Sequence, residues 1–403
     1  MPKLKSLIIR AIINFVRAFG HKLPSPLTHA HFVLPAYTGL GNFIMMTPMI
    51  MKLRELFPES RITIIAGNKF GTEAVLKDTG VVDEVLHLDE EARWGKKLIF
   101  FLRLGSQKID IAFVPFDASP SFYRFGVILA GIPARIGHLT DLVGSPMGWT
   151  RDALTETVPL KKRRHESDLH FDLLEKLSPS FTRTYRYTVR TGVRDEILGS
   201  LGLNGRKYVV IQISAANANK SPKIWPPENF HALISLLVKD GFLVVLAGDT
   251  MERPIVDRFA AESSVSVLNL AGRTSVKEIA SVIEGADALV CHDSGLMHVG
   301  NAVGTPLVAL YGPTDHEYTR PLASTSVIIR NPLPCAPCMA GFAKTEEEAF
   351  RDCPINFECM RRITVTEVYE AVRERVRMRK NDGPETNESQ VETSGRQSRI
   401  AEN

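Results

Sequence analysis

Two common signatures of nucleotide binding are missing from this sequence. It contains neither the GxGxxG dinucleotide fingerprint nor the GxxxxGK[ST] phosphate loop. Their absence argues against a typical dehydrogenase and against an ATPase of the P-loop type.

Long apolar runs and early acidic residues are also missing. No stretch is long and apolar enough to span a bilayer, and no acidic residue occurs before Glu55. Over residues 1–25, Lys3, Arg10 and Arg17 lie opposite a broad apolar face, which predicts a basic amphipathic helix. Such a helix suits an anionic membrane surface, or it packs on the protein's own body. The arginines disfavour a cleaved signal peptide. We expect a cytoplasmic protein, with peripheral binding to the inner face of the inner membrane left open.

Cysteine is scarce, with five residues in a chain of 403. A cytosolic location disfavours disulfides. Four of the cysteines follow the pattern C-x2-C-x14-C-x5-C, whose first pair suits a zinc knuckle but whose second spacing is looser than usual. Two alternatives stay open, a structural zinc and reduced cysteines that pack in the fold, and the second is the default. The four residues are Cys335, Cys338, Cys353 and Cys359.

The overall composition is that of a soluble globular protein, with 44% hydrophobic and 23% charged residues. The net charge of +4 is small for this length and gives no reason to expect nucleic acid as a partner. The length exceeds what one core of ordinary size fills, so two domains are expected.

Short apolar runs alternate with amphipathic segments from residue 31 onwards. Such alternation predicts parallel sheets covered by helices. One series of strands includes HFVLPA, RITIIAG and DIAFVPF, and a second includes YVVIQIS, FLVVLAG, ALVCHD and PLVALYG. The charge run KKRRHESD and an irregular segment separate them. The sequence therefore predicts an α/β fold with two doubly wound domains.

The predicted boundaries follow from these patterns. A C-terminal helix begins with a capping box formed by Thr364 and Glu367, and the polar residues after it lack any aromatic side chain. The predicted segments are an N-terminal helix over 1–25, a Rossmann-like domain over 26–190, a linker over 191–205, a second Rossmann-like domain over 206–362, the C-terminal helix over 363–380 and a disordered tail over 381–403.

Polar residues gather at the predicted carboxyl ends of the second series of strands. Ser294 and Gly295 begin a helix, whose N–H groups and positive dipole end form a ready phosphate site. His298 lies on the same face, and Lys223 adds a mobile cation. Singly, each residue is explained by capping or packing, but their grouping favours a diphosphate-bearing ligand. The predicted set is Ser214, Asn217, Lys223, Asp249, Glu252, Asp293, Ser294, Gly295 and His298.

The second half of the chain resembles a known family. The segment NLAGRTSVKEIASVIEGADALVCHDSGLMHVGNAVGTPLVALYGPTD is similar to the C-terminal signature of the ADP-heptose–lipopolysaccharide heptosyltransferases, glycosyltransferase family 9. KIWPPENFHAL, LAGD and PCAPC extend the similarity, and YTGLGNFIMMTPMIMKLRELFPESRITIIAG resembles the family's N-terminal signature. The resemblance covers most of residues 31–375. It implies a GT-B architecture, in which an acceptor domain and a donor-binding domain, both Rossmann-like, face an interdomain cleft.

The resemblance also implies an activity. A heptose or related sugar would pass, with inversion, from a nucleotide diphosphate donor such as ADP-heptose to a lipopolysaccharide core or related surface glycan. Asp249 and Glu252 match the region that meets the nucleoside, and Gly39 and Gly41 would let the acceptor loop approach the reacting sugar. No cofactor is required if Lys223 and helix N-termini stabilise the departing diphosphate. The implied partners are the nucleotide-sugar donor, a lipid-linked glycan acceptor and an anionic membrane surface.

The sequence departs from the family at Asn42, where the resemblance implies an aspartate that activates the acceptor. An amide cannot accept a proton at neutral pH. Either another group is the base, or Asn42 orients an acceptor whose proton leaves to water, or the chain is a donor-binding protein with weak or lost transferase activity. Asp117 and His316, each beside a strand end, are candidate replacement bases. The family-like segment disfavours a related GT-B epimerase or hydrolase. Asn42 and Asp117 are therefore the candidate catalytic residues.

Overall fold

The computed structural model describes residues 23, 25–69, 71–117, 121–139, 154–161, 164–215, 221–340 and 344–382. Most of the predicted N-terminal helix over 1–25, almost all of the predicted tail over 381–403 and the candidate residue Asn217 lie outside these ranges. None of the helices in these ranges combines the length and apolar character needed to cross a bilayer.

The chain forms two compact units, Met1–Arg183 and Thr184–Asn403. The first unit contains a six-stranded sheet in which all neighbouring strands are parallel, in the order β3-β2-β1-β4-β5-β6. Its strands are β1 (His31–Ala36), β2 (Arg61–Ala66), β3 (Glu84–His87), β4 (Ile111–Val114), β5 (Ala134–Leu139) and β6 (Glu156–Pro159). Its helices are α1 (Leu40–Leu56), α2 (Glu73–Leu76), α3 (Trp94–Gly105), α4 (Ser121–Leu129) and α5 (Glu166–Leu174).

The centre of the first sheet is fully buried. Every residue of β1 and of β4 is buried, as expected for parallel strands with helices on both faces. Helix α5 packs on α1, and the Ser167 hydroxyl donates a hydrogen bond of 2.8 Å to the Met45 carbonyl oxygen. This contact fixes the beginning of α5 against the early turns of α1.

The second unit repeats the architecture, with all neighbouring strands again parallel, in the order β12-β11-β10-β7-β8-β9. Its strands are β7 (Tyr208–Ile211), β8 (Leu243–Leu246), β9 (Leu268–Asn269), β10 (Ala288–His292), β11 (Leu307–Tyr311) and β12 (Ser326–Arg330). Its helices are α6 (Arg194–Ser200), α7 (Pro227–Lys239), α8 (Arg253–Glu262), α9 (Val276–Gly285), α10 (Gly295–Val303), α11 (His316–Thr319), α12 (Glu346–Arg351), α13 (Glu358–Arg361) and α14 (Val365–Asp382).

Local hydrogen bonds explain where the last helix begins. The predicted capping box is confirmed: the Glu367 N–H donates to Thr364 Oγ1 over 3.3 Å, and the Thr364 N–H donates to Glu367 Oε2 over 2.7 Å. Just before it, the carbonyl oxygen of Ile363 accepts a 2.8 Å hydrogen bond from the indole N–H of buried Trp225. Helix α14 packs on α7 and on strands β10 to β12 of its own unit.

The division between the units differs from the predicted one. It falls between Arg183 and Thr184, ahead of the boundary predicted near residue 190. The predicted linker over 191–205 contains α6, which packs on α9 and belongs to the second unit. The segment is therefore part of a packed unit rather than a free connection.

Both sheets share one topology, in which strand order reverses beside the first strand. The reversal lies between β1 and β4 in the first unit and between β7 and β10 in the second. In doubly wound sheets, ligands bind outside the carboxyl ends of the strands at such switch points. The predicted class, α/β with two doubly wound Rossmann-like domains, is confirmed. Each sheet has a switch point at which a ligand is expected.

Candidate functional site

The turn between β1 and α1 holds Asn42 in the first turn of the helix, half-buried. Its side-chain amide nitrogen donates hydrogen bonds to both carboxylate oxygens of Glu166, over 2.9 and 3.1 Å. Gly39 precedes the helix, and a Cβ atom added there would lie 3.3 Å from Asn42 Oδ1, whereas Gly41 is buried. The amide is therefore held by its nitrogen, while its oxygen lies beside the glycine turn.

Glu166 and His170 lie one turn apart on α5, on the same face, and both side chains are 0% exposed. His170 Nε2 lies 3.7 Å from Glu166 Oε1 and 3.9 Å from Asp117 Oδ2. Asp117 follows β4, and its side chain is 8% exposed. The structure thus brings together the two candidate catalytic residues and two residues that the sequence analysis missed. We call Asn42, Asp117, Glu166 and His170 the β1/β4 cluster.

A sequence signal for the two missed residues exists. They occur in HESDLH, at the end of the charge run, where the E-x-x-x-H spacing places both side chains on one helix face. Nothing in that spacing says which other element the face will meet. The contact depends on α5 packing against α1, which only the structure provides.

Burial dominates the electrostatics of this cluster. It raises the pKa of Asp117 to about 7, an effect that His170 opposes and the Glu166 carboxylate reinforces. Burial also lowers the pKa of His170. Neither carboxylate oxygen of Asp117 and neither ring nitrogen of His170 has a hydrogen-bond partner among the described residues. These polar atoms are therefore not satisfied by the described residues.

The same three side chains are spaced like metal ligands. One ligand atom each from Asp117, Glu166 and His170 lies within 4.8 Å of the other two. Within the described ranges, this is the sole group of three histidine, cysteine or acidic side chains that meets that spacing. The four cysteines do not meet that spacing in the described ranges, and their role as zinc ligands stays a prediction. The prediction of a structural zinc gains no support from the positions of Cys335, Cys338, Cys353 and Cys359.

A different arrangement occupies the β7/β10 switch point of the second unit. Glu252 is only 4% exposed, and its Oε1 accepts hydrogen bonds from Gln212 Nε2 over 3.1 Å and from the Ser214 hydroxyl over 2.7 Å. Its Oε2 accepts the Asp249 N–H over 2.7 Å. The Ser294 hydroxyl donates to Gln212 Oε1 over 2.5 Å. These five residues, which we call the β7/β10 network, join the ends of three strands.

The network changes the role expected for several predicted residues. Ser214 donates directly to Glu252, and Gln212, which the sequence analysis missed, links Ser294 to Glu252. Asp249 Oδ1 accepts the N–H groups of Met251 and Glu252, both over 2.8 Å, and so shapes the turn after β8. These hydrogen bonds connect the ends of the strands to one another.

The start of α10 is the part of this region suited to an anion. Ser294 is its N-cap, without a side-chain cap hydrogen bond, and Gly295 is its first residue. Helix geometry leaves the first N–H groups without intrahelical partners. His298, on the next turn, is buried, and Asp293 Oδ1 lies 3.5 Å from the Tyr311 hydroxyl.

Two other predicted residues have protein partners. Lys223 Nζ lies 3.7 Å from Glu346 Oε2, so a bound diphosphate would compete with that carboxylate for the lysine. His316, one of the candidate bases, lies in the second unit with Nε2 3.1 Å from Glu317 Oε1, and burial lowers its pKa. It is not part of the β1/β4 cluster.

Known proteins share the family signature and the fold. The family described as "Glycosyltransferase family 9 (heptosyltransferase)" matches residues 168–347. Lipooligosaccharide heptosyltransferase 2 of Haemophilus influenzae is 38% identical over 112 residues, 27% of this chain and 32% of that protein. Lipopolysaccharide heptosyltransferase 3 of Escherichia coli is 25% identical over 299 residues, 71% of this chain and 85% of that protein. The chain therefore spans about a third of the length of the first of these relatives.

Solved structures agree in fold. The Escherichia coli ADP-heptose lipopolysaccharide heptosyltransferase II superposes with a TM-score of 0.69 at 21% identity, covering 87% of this chain and 99% of the other. A family 9 glycosyl transferase from Veillonella parvula gives a TM-score of 0.73 at 19% identity, covering 87% and 98%. At these identities the similarity supports the two-domain fold and says nothing about substrates.

Proposed function

Because this chain belongs to glycosyltransferase family 9, the heptosyltransferase family, we propose that it is an inverting glycosyltransferase. The proposed donor is a nucleotide diphosphate sugar. ADP-heptose is favoured over donors that carry a related sugar. The proposed acceptor is a lipopolysaccharide core or a related lipid-linked surface glycan. The observation that carries the proposal is the start of α10 at the β7/β10 switch point, which lies inside the family-matched residues.

The second unit would bind the donor. The first N–H groups of α10 and the positive end of the helix dipole favour a diphosphate beside Ser294 and Gly295. Lys223 would exchange Glu346 for the departing diphosphate, whose negative charge grows as the bond to the sugar breaks. Asp249, at the end of β8, would lie on the nucleoside side.

The first unit would bind the acceptor, with Asn42 as an orienting residue rather than a base. Its amide nitrogen already donates to Glu166, so Oδ1 is the atom left to accept a hydrogen bond from the acceptor hydroxyl. The carboxylate oxygens of Asp117 are buried, which does not favour direct contact with the acceptor. In this mechanism the hydroxyl proton leaves to water as the anomeric carbon is attacked.

A donor-binding protein with weak or lost transferase activity is the second candidate. The amide at position 42 favours it, since this side chain cannot take the proton of the acceptor hydroxyl. The two candidates share the donor site and differ in turnover.

Titration with ADP-heptose followed by addition of core-lipid acceptors separates them. We expect donor binding in a calorimeter and release of ADP when the correct acceptor is added. Tight donor binding without ADP release for any acceptor would reject the transferase and leave the donor-binding protein. Absence of donor binding would reject both candidates.

We also propose that the protein works in the cytoplasm and binds the anionic inner membrane face through residues 1–25. Sedimentation with vesicles that contain anionic lipid tests this, with a chain lacking residues 1–22 as the control. Equal sedimentation of both chains would reject this role for the segment.

A further inference from the structure

The β1/β4 cluster places three ionisable side chains in a buried environment. Two carboxylates and an imidazole are buried together, with side-chain exposures of 8% for Asp117 and 0% for Glu166 and His170. Buried carboxylates are stable only when they are protonated, paired or bound to a metal ion. No lysine or arginine in the described part of the chain lies within 4.0 Å of the Asp117 carboxylate. The Asp117 carboxylate is therefore stabilised either by a proton or by a bound cation.

The spacing of the three side chains fits a metal ion in particular. His170 Nε2 lies 3.7 and 3.9 Å from the two carboxylates, and all three ligand atoms are mutually within 4.8 Å. A point equidistant from three atoms at such separations lies about 2.2–2.5 Å from each, close to metal–ligand bonds of about 2.0–2.2 Å. Small side-chain adjustments would close the remaining difference.

His170 gives a second, independent reason to expect a ligand. It is fully buried, yet neither ring nitrogen has a hydrogen-bond partner in the described ranges, and its Nε2 faces both carboxylates. At 3.7 and 3.9 Å those contacts are too long for hydrogen bonds. A neutral imidazole lone pair that has no proton donor nearby is a good metal ligand.

We propose that Asp117, Glu166 and His170 bind a first-row divalent metal ion, with Asn42 as the outer partner that orients Glu166. One imidazole and two carboxylates suit Mn²⁺, Fe²⁺ or Zn²⁺ better than Ca²⁺ or Mg²⁺, which prefer oxygen ligands only. One Glu166 oxygen binds the ion while the other accepts the Asn42 amide. The ion thereby fixes the side chain that fixes Asn42. Ion binding does not depend on the transferase function proposed above.

Metal analysis of the full chain tests the site. The protein is stripped with EDTA, dialysed and titrated with Mn²⁺ or Zn²⁺ against a competing indicator, and its melting temperature is recorded with and without the ion. We expect one ion per chain at this site and a higher melting temperature when it is bound. His170→Gln should weaken binding more than about 100-fold, since outer partners alone account for about 10- to 100-fold. Asn42→Ala should weaken it about tenfold.

Matched variants show whether the ion depends on these three side chains in particular. Asp168→Asn removes a charge from the same helix, but its side chain pairs with Arg183, so metal affinity should not change. A Cys335→Ser, Cys338→Ser double variant should retain the ion, which excludes the cysteines as its ligands. If His170→Gln fails to fold, Asp117→Asn takes its place.

Two results would overturn the proposal. One is no binding and no change in melting temperature up to millimolar Mn²⁺ and Zn²⁺. This result would mean that protonation, and not a metal ion, neutralises the buried carboxylates. The other is binding that is unaffected by His170→Gln and Asp117→Asn. Either result leaves donor binding and ADP release untouched, so this proposal and the proposed function can fail separately.

Discussion

At the β7/β10 switch point the buried carboxylate of Glu252 accepts three hydrogen bonds, whereas at the β1/β4 switch point the carboxylate of Asp117 accepts none from the described residues. The two sheets have the same strand order and place their polar residues at equivalent ends. Topology therefore fixes where polar side chains meet and leaves open whether the protein satisfies them itself.

The difference divides the two sites by what they need. A fully hydrogen-bonded network is rigid and needs no ligand to be stable, so the β7/β10 network works as a frame for the start of α10. The β1/β4 cluster leaves polar atoms of Asp117 and His170 without partners among the described residues, so its buried carboxylates need a proton or a bound cation. The two sites therefore differ in how far the described residues satisfy their buried polar groups.

The largest expected effect is on the donor side. Lys223→Met removes the cation proposed to meet the departing diphosphate, and we expect kcat/KM to fall about 100- to 1000-fold, or about 3–4 kcal/mol in the transition state. ADP release under acceptor saturation measures it. The control is Lys239→Met, an exposed lysine at the end of α7. Equal rates for the two variants would mean that the donor site does not use Lys223.

Acid should weaken the second unit through His292. This buried residue accepts the Trp225 N–H at Nε2 over 3.0 Å, and burial, aided by the Lys223 charge, lowers its pKa to about 4. Because the folded pKa lies below the usual value near 6.5, protonation favours the unfolded state. The free energy of unfolding should be constant above about pH 6.5 and fall by about 3 kcal/mol towards pH 4.

A single substitution isolates that contribution. His292→Gln keeps an acceptor for the Trp225 N–H and removes the titrating ring, so much of the slope between pH 6.5 and 4 should disappear. Urea unfolding followed by the fluorescence of buried Trp225 reports it. Identical slopes in the wild-type protein and the variant would assign acid sensitivity to the carboxylates instead.

Removing the negative charge of Glu252 from the β7/β10 network should destabilise the second unit. Both carboxylate oxygens of Glu252 accept hydrogen bonds, three in total. In Glu252→Gln one of these oxygens becomes an NH2 group, which cannot accept and would face a donor. We expect the free energy of unfolding to fall by about 2 kcal/mol. Glu262→Gln, on the exposed end of α8, is the matched control and should change it by less than about 0.5 kcal/mol. If both variants unfold alike, the network does not stabilise the second unit.

The sequence predicts features that depend on neighbouring residues, and it does not predict those that depend on contacts between distant parts of the chain. The strands of the two series follow from apolar runs bounded by turns, which predicts Asp117 beside a strand end. The structure shows that this strand, β4, is the neighbour of β1, which leads into the turn before Asn42. Glu166 and His170 come from a helix far along the chain, and only the packing of α5 on α1 brings them in. Gln212 stands in an apolar run, where its buried partners cannot be seen from sequence.

The same limit applies to the cysteines and to the segment between the units. The spacing C-x2-C-x14-C-x5-C leaves a long loop between the two halves and does not show whether the four thiols converge, so a structural zinc stays a prediction. Residues 191–205 look like a linker because α6 is short, yet its packing on α9 makes it part of the second unit. In each case a tertiary contact decides, and no local pattern records it.

The smallest expected effect bears most directly on the comparison. Asn42→Asp places a carboxylate where an amide now donates to both oxygens of Glu166, so two like charges would face each other at about hydrogen-bond distance. In EDTA, we expect the free energy of unfolding to fall by about 1–2 kcal/mol, while Asn204→Asp, at an exposed position, changes it little. Urea unfolding and ADP release are measured on the same samples, and the transfer rate should not rise. A sharp rise in the rate of ADP release without loss of stability would contradict this expectation. It would mean that the first unit lacks a catalytic base at residue 42, and that the β1/β4 cluster does not need an added cation.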